Sequence, residues 1–424
     1  MKDYALLSAN ELKQEFAVVK EEYEQLKNLG LKLDMSRGKP APEQLDAIYE
    51  FYKETEKDIV FKAENGTDYR NYGIFDGIDE AKELFAEMFE VNKENVIVGG
   101  NSSLNMMFDI LAQAMIKGMG GEPWCKQGKV KFICPAPGYD RHFAVSQYLG
   151  FELLQVDMTE NGPDMEAVYE LVKDPLVKGM WCVPKYSNPL GITCSDETVK
   201  KIAQMKPAAK DFLVMWDNAY IVHDVYGEGD KLLNLYKEAE KYGNEDNILI
   251  FTSTSKISFP GAGVAAMAGS KKNLDLISER IKFQTIGPDK MNQLRHIKMF
   301  KNMDEVKQYM KVHAEFIRPK FDVVLKEMDE KLGGNSIASW HKPNGGYFIY
   351  LKVMDGCAKR VAELCKEAGM VLTNAGATHP YGIDKTDSGL RIAPTYPSLE
   401  EIKKASALLC TAVKYVSCEK LLSK

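Results

Sequence analysis

Lys256 follows the small polar run Ser253-Thr254-Ser255, directly after the apolar stretch ILIFT. Four other apolar runs end on residues able to do chemistry. FLVMW leads to Asp217 and, three residues on, Tyr220. MWCVP leads to Ser187-Asn188-Pro189, KFICP to Tyr139, and VIV to Gly100-Asn101-Ser102. A lysine withdrawn from water beside other cations loses its proton readily and becomes a nucleophile. A carboxylate at the end of an apolar strand is costly unless it meets a cation or water. Free backbone N–H groups and hydroxyls at a helix start bind phosphate. Each residue alone has an ordinary explanation: a helix cap for Asn101, Ser102 or Asp217, a turn for Asn188-Pro189, packing for Tyr139, a solvated lysine for Lys256.

Seven short apolar runs carry these residues, lie between them or directly follow them: 96–100, 131–135, 151–156, 180–184, 212–216, 248–252 and 264–269. Most are separated by enough chain for a crossover helix. This predicts an α/β fold, a mostly parallel seven-stranded sheet covered by helices. The run 252–264 leaves room only for a turn, so its two strands should be antiparallel. In such sheets ligands sit at the carboxyl ends of the strands, which is where all five candidate groups fall. An amphipathic helix is expected over 8–28, capped by Ser8 or Asn10, and another near 78–90. After about residue 300 the pattern changes to a long helix from Asp304 to Lys331. Strands follow around SIASWH, GYFIYLKV and LRIAP, with helices near 357–369 and 398–416. This predicts a smaller α+β domain. The expected division is 1–45 (an N-terminal arm and part of the small domain), 46–310 (the large domain) and 311–424 (the small domain).

A ring-stacking aromatic, a carboxylate, a phenol, an amide, phosphate donors and a lysine on one sheet edge suit a flat, cationic, phosphorylated aldehyde. Pyridoxal 5′-phosphate (PLP) fits, and its pairing of a lysine with an aspartate on the pyridinium nitrogen is known chemistry. At these residues the chain resembles the fold-type I PLP aminotransferases, the aspartate aminotransferase superfamily, over nearly its full length. Ser187-Asn188-Pro189-Leu190-Gly191 is similar to the family's S-N-P-T-G, Asp217-x-x-Tyr220 to its D-x-x-Y, and Ser253-x-Ser255-Lys256 to its S-x-S-K. The resemblance implies that Lys256 is the Schiff-base lysine and that Asp217 holds the pyridine nitrogen. It puts Asn188 and Tyr220 on the ring's 3′-oxygen, Tyr139 against the ring, and Gly100, Asn101, Ser102, Ser253 and Ser255 about the phosphate. It further implies that Tyr72 reaches a neighbouring subunit's phosphate, that Gly38 lies in a loop closing over substrate, and that Arg391, in Gly389-Leu390-Arg391-Ile392, clamps the substrate α-carboxylate. A homodimer with shared sites follows.

The sequence departs from the family at one place. The arginine expected eight residues after the lysine, a phosphate clamp, is replaced by Val264. This resembles the divergent branch similar to MocR-type aminotransferase domains. The expected reaction is transfer of an amino group between an L-amino acid, aspartate favoured, and 2-oxoglutarate. A PLP-dependent β-lyase or decarboxylase, or a non-catalytic effector-binding domain, would share the scaffold. For a second substrate carboxylate the sequence offers Arg37, Lys39, Arg280 and Lys282 and assigns none. Gly261-Ala262-Gly263-Val264-Ala265-Ala266 also fits a dinucleotide-binding G-x-G-x-x-A. That motif should close a strand and open a helix, whereas VAAMAG reads as a strand. The net charge of −6 gives no electrostatic support for nucleic acid binding. No apolar run approaches membrane-spanning length. Eight scattered cysteines without ligand spacing argue for reduced thiols and no metal site. A cytoplasmic protein is expected.

Overall fold

The computed structural model describes residues 3–55, 57, 59–63 and 66–423. From the N-terminus, α1 (Ala9–Lys27) is followed by β1 (Leu33–Asp34), α2 (Pro42–Thr55), α3 (Asp79–Phe89), β2 (Val96–Val98) and α4 (Ser103–Lys117). Then come β3 (Lys131–Ala136), α5 (Asp140–Tyr148), β4 (Glu152–Thr159), β5 (Gly162–Pro163), α6 (Met165–Leu171) and β6 (Val177–Cys182). The centre of the chain holds α7 (Asp196–Ala203), β7 (Leu213–Asp217), α8 (Leu235–Glu240), β8 (Ile248–Ser253) and β9 (Ala265–Gly269). Helices α9 (Lys271–Ile281), α10 (Lys290–Met299) and α11 (Met303–Leu332) lead to β10 (Ala338–Trp340) and β11 (Ile349–Val353). The chain ends with α12 (Ala358–Glu367), β12 (Met370–Val371), β13 (Gly389–Ile392) and α13 (Leu399–Leu422).

The large sheet has the order β2-β9-β8-β7-β6-β3-β4-β5. It holds eight strands where the sequence predicts seven; the extra one, β5, is two residues long and pairs antiparallel with β4. Strand β9 runs antiparallel to both β8 and β2, as the short connection requires. The intervening strands are parallel. Alternate residues serve opposite layers. Ile133, Met180, Val214, Trp216 and Ile250 pack into one helical layer. Phe132, Trp181, Leu213, Met215 and Phe251 pack into the other. Strand side chains point alternately up and down, so continuous apolar runs fill two cores at once. Each fully buried side chain of this size contributes roughly 1.5–3 kcal/mol.

A third core joins α1, α13, α12 and the small sheet β10-β11-β13. Helix α1 begins with a capping box between Ser8 and Glu11 and packs on α13, with Phe16 edge-on to Tyr415 at 4.9 Å. The expected start at Ser8 is met. Helix α11 is continuous across position 310: Met303, Val306 and Met310 belong to the large core, Ile317, Phe321 and Val324 to the third. Helix α2 is not among the expected elements, although Pro42 in its first turn and Glu43 beside it are ordinary start signals. The terminal helix is also longer than expected, reaching Leu422.

Candidate active site

The parallel ladder puts the carboxyl ends of β3, β6, β7 and β8 on one edge of the sheet. There a cavity of about 330 Å³ is lined by Gly38, Ser102, Tyr139, Asn188, Asp217, Tyr220, Ser253, Ser255, Lys256 and Arg391. Ten of the residues singled out in the sequence thus meet in one place, drawn from seven segments of the chain. Gly100 and Asn101 lie just behind it, and Asn101 O accepts a hydrogen bond from Ser255 Oγ at 3.1 Å. Tyr72 is not brought together with the others; its side chain is 81% exposed.

Asp217 ends β7 and is buried. Its Oδ2 accepts a hydrogen bond from His142 Nε2 at 3.0 Å. The His142 ring is stacked on Trp181, with centroids 4.1 Å apart and planes 8° from parallel. The other oxygen, Oδ1, is buried with no protein partner. A buried carboxylate oxygen left unpaired is expensive, so Asp217 is built for a donor the polypeptide does not supply. A protonated ring nitrogen is such a donor. His142 is a partner that the sequence reading missed. The only signal for it was the need of a buried aspartate for some companion.

Lys256 Nζ lies over the Tyr220 ring, 4.9 Å from its centroid. Burial lowers the lysine pKa, and the Asp217 charge opposes that shift. Burial raises the pKa of the Tyr220 phenol well above normal, with Tyr139 and Asp217 adding to it. Tyr139, the N-cap residue of α5, is pushed up to about 12, chiefly by burial.

Helix α4 starts at Ser103, yet the side chain of its N-cap residue, Ser102, makes no capping hydrogen bond. Ser102, Ser103 and Leu104 of this helix start line the cavity together with Ser253 and Ser255, whose hydroxyls lie 3.1 Å apart. Hydroxyls at a helix N-terminus are a setting suited to an anion. A second cavity is lined by Gly100, Asn101, Ala262, Val264, Asn292 and Arg295. Gly261 and Gly263 belong to the turn joining β8 to β9 and lead into a strand. The dinucleotide fingerprint is therefore not realised.

Arg391, on β13, is buried. Its Nη1 donates to Asp140 Oδ1 at 2.8 Å and to Asn188 Oδ1 at 3.0 Å, and its Nε donates to Thr373 Oγ1 at 3.2 Å. Its guanidinium carbon lies 5.1 Å from the centroid of the Phe348 ring. A Cβ on Gly38 would fall 2.6 Å from Cζ of the same Phe348, so only glycine lets this loop approach the ring without displacing it.

A 330 Å³ cleft with a buried lysine whose charged form is disfavoured by burial, an orphaned buried carboxylate oxygen and a helix start beside hydroxyls fits PLP in size and in donor set. Fold and cavity together are those of a fold-type I PLP-dependent aminotransferase. The comparisons with known proteins agree. Residues 7–424 match the aspartate amino-transferase family, and the chain belongs to that family. An aspartate aminotransferase of Corynebacterium glutamicum is 44% identical over 95% of this chain and 93% of its own. The crystal structure of an aspartate transaminase from Corynebacterium glutamicum superposes with a TM-score of 0.95 at 43% identity, covering 98% of each chain. The fold is shared more distantly with an α-aminoadipate aminotransferase of Thermus thermophilus. That enzyme was solved with N-(5′-phosphopyridoxyl)-L-leucine; its TM-score is 0.74 at 20% identity, over 92% of this chain and 93% of its own. Among the described residues no group of side chains could hold a metal ion, and no helix is long and apolar enough to cross a membrane.

Proposed function

We propose that the enzyme transfers the amino group of L-aspartate to 2-oxoglutarate by a ping-pong reaction at Lys256. The observation that carries the assignment of roles is the unpartnered Oδ1 of Asp217, buried in the same cavity as Lys256. The choice of aspartate is supported by the likeness to the Corynebacterium aspartate aminotransferase.

When bound, the cofactor supplies an electron sink that acidifies the amino acid Cα–H. Asp217, oriented by His142, holds a proton on the ring nitrogen, as an adjacent carboxylate raises that pKa. Asn188 Nδ2, whose side-chain oxygen is spent on Arg391, and the Tyr220 hydroxyl serve the ring's 3′-oxygen. Tyr139 packs against the ring. Ser102, Ser253, Ser255 and the α4 N-terminus, with Gly100 and Asn101 behind them, receive the phosphate. We assign Arg295 as the cation standing in for the one absent at position 264, because it lines the same cavity as Val264, Gly100 and Asn101. Arg391 orients the substrate through its α-carboxylate. Lys256 Nζ, whose charged form burial disfavours, would take the Cα proton as general base.

The same reading makes the protein a cytoplasmic homodimer. The exposed Tyr72, which contributes nothing to its own cavity, would serve the neighbouring subunit's site. Replacing Lys256 with Ala tests the reading. The visible absorbance of lysine-bound cofactor should vanish, and oxaloacetate formation from L-aspartate and 2-oxoglutarate should fall by at least about 1,000-fold. A variant with normal absorbance and turnover would overturn it.

A further inference from the structure

We propose that Arg37 and Arg141 form the seat for the second carboxylate of a dicarboxylic substrate, in the same cavity and on the same chain as Arg391. This rests on the aminotransferase reading and on Arg391 as the α-carboxylate anchor.

The four basic residues that the sequence offered are separated by their surroundings. Lys39 places its ammonium 3.8 Å from the centroid of the Tyr396 ring. The Arg280 guanidinium is spent on Gly118 O and the Met119 sulfur. Lys282 pairs with Glu279 on the surface. Arg37 alone of the four lines the active-site cavity. Arg141, which the sequence did not single out, lines it too. Neither has a side-chain hydrogen bond or ion pair among the described residues.

Both arginines are held next to groups that touch Arg391. Gly38, following Arg37, packs against the Phe348 ring that lies beside the Arg391 guanidinium. Asp140, preceding Arg141, accepts the 2.8 Å hydrogen bond from Arg391 Nη1. Each loop is thus fixed from the anchor's side, and both arginines, each exposed, line the cavity beside it. The charges point the same way. Arg37, Arg141, Arg391 and Lys256 face the cavity against only Asp140 and Asp217. Asp140 is already bonded to Arg391 and Asp217 to His142. The surplus is positive, and planar forks suit a carboxylate. An amino acid with an apolar side chain would leave both cations unmatched, whereas a four- or five-carbon dicarboxylate would pair with them.

The test uses the holoenzyme with Arg37→Gln, Arg141→Gln and the double substitution. The measured quantity is the ratio of kcat/KM for L-aspartate to that for L-alanine, with succinate binding by calorimetry as an equilibrium readout. The double variant is expected to lower the ratio about 100-fold and weaken succinate by a similar factor, as loss of two charge-assisted contacts predicts. A ratio and a succinate affinity within about twofold of wild type would overturn the proposal. So would a wild-type enzyme that transaminates alanine but no dicarboxylic amino acid, and that result would leave the aminotransferase reading standing. If Arg391→Gln leaves both substrates unaffected, the anchor reading fails and the proposal falls with it.

Discussion

Asp140 and Arg391 form a 2.8 Å ion pair inside the active-site cavity, so the guanidinium proposed to receive a substrate carboxylate already carries one from its own chain. A ligand carboxylate competes with it for Nη1, and a site that is only partly free binds with an affinity reduced by the free fraction. Asp140→Asn should therefore tighten binding of succinate about 10-fold. Calorimetry on the holoenzyme reads this directly. Weaker binding would instead make Asp140 a group that assists the ligand.

The His142–Asp217 pair predicts a graded response. Asp217→Ala removes the carboxylate and should lower kcat by roughly 100- to 1,000-fold, the usual range for loss of a preorganised charge. His142→Leu keeps the charge but frees its orientation, so a smaller loss of about 10-fold is expected. Single-turnover kinetics with L-aspartate would measure both. Equal losses would mean that His142 does more than orient Asp217.

Arg295 offers a test of how the phosphate is held without a cation at position 264. Arg295→Met should raise the dissociation constant for PLP about 10- to 100-fold, the size of one charge-assisted contact or slightly more. Pyridoxal, which lacks the phosphate, should bind the variant and wild type alike. Equilibrium dialysis of the apoenzyme against each compound separates the two. A variant that weakens pyridoxal equally would show a general packing defect.

Buried histidines, His296 and His313 among them, set an acid limit on stability. His296 Nδ1 donates to Asn292 O at 2.8 Å, and its Nε2 accepts from Ser258 Oγ at 2.7 Å. His313 Nε2 lies 2.9 Å from the Tyr347 hydroxyl, which in turn donates to Lys256 O at 3.4 Å. Burial holds both rings at about 4, below the ordinary 6.5. Between those values the unfolded chain binds protons that the fold refuses, so stability falls as the pH drops. The loss approaches about 1.4 kcal/mol per pH unit for each histidine. Urea midpoints should decline from pH 6.5 to 4, and His313→Asn should flatten the decline. An unchanged midpoint across that range would rule it out.

The sequence by itself determined the large sheet and the chemistry at its edge. Continuous apolar runs such as FLVMW can only be buried on both faces, and polar residues placed straight after them must emerge at the strand ends. Local order along the chain therefore located Asn188, Asp217, Tyr220 and Lys256. It also fixed the β8–β9 hairpin, because so short a connection leaves no room for a crossover helix. What only the tertiary structure decided depends on residues far apart in the chain. Asp217 meets His142 across 75 positions and Arg391 meets Asp140 across 251. Nothing in the spacing of either pair announces the contact. Charge patterning did not separate Arg37 from Lys39, Arg280 and Lys282, since all four are ordinary surface residue types. Their fates diverge only where a ring, a backbone carbonyl or a neighbouring glutamate claims the other three. A side chain's role in a cavity is set by which partners packing leaves it, and packing is a property of the whole fold.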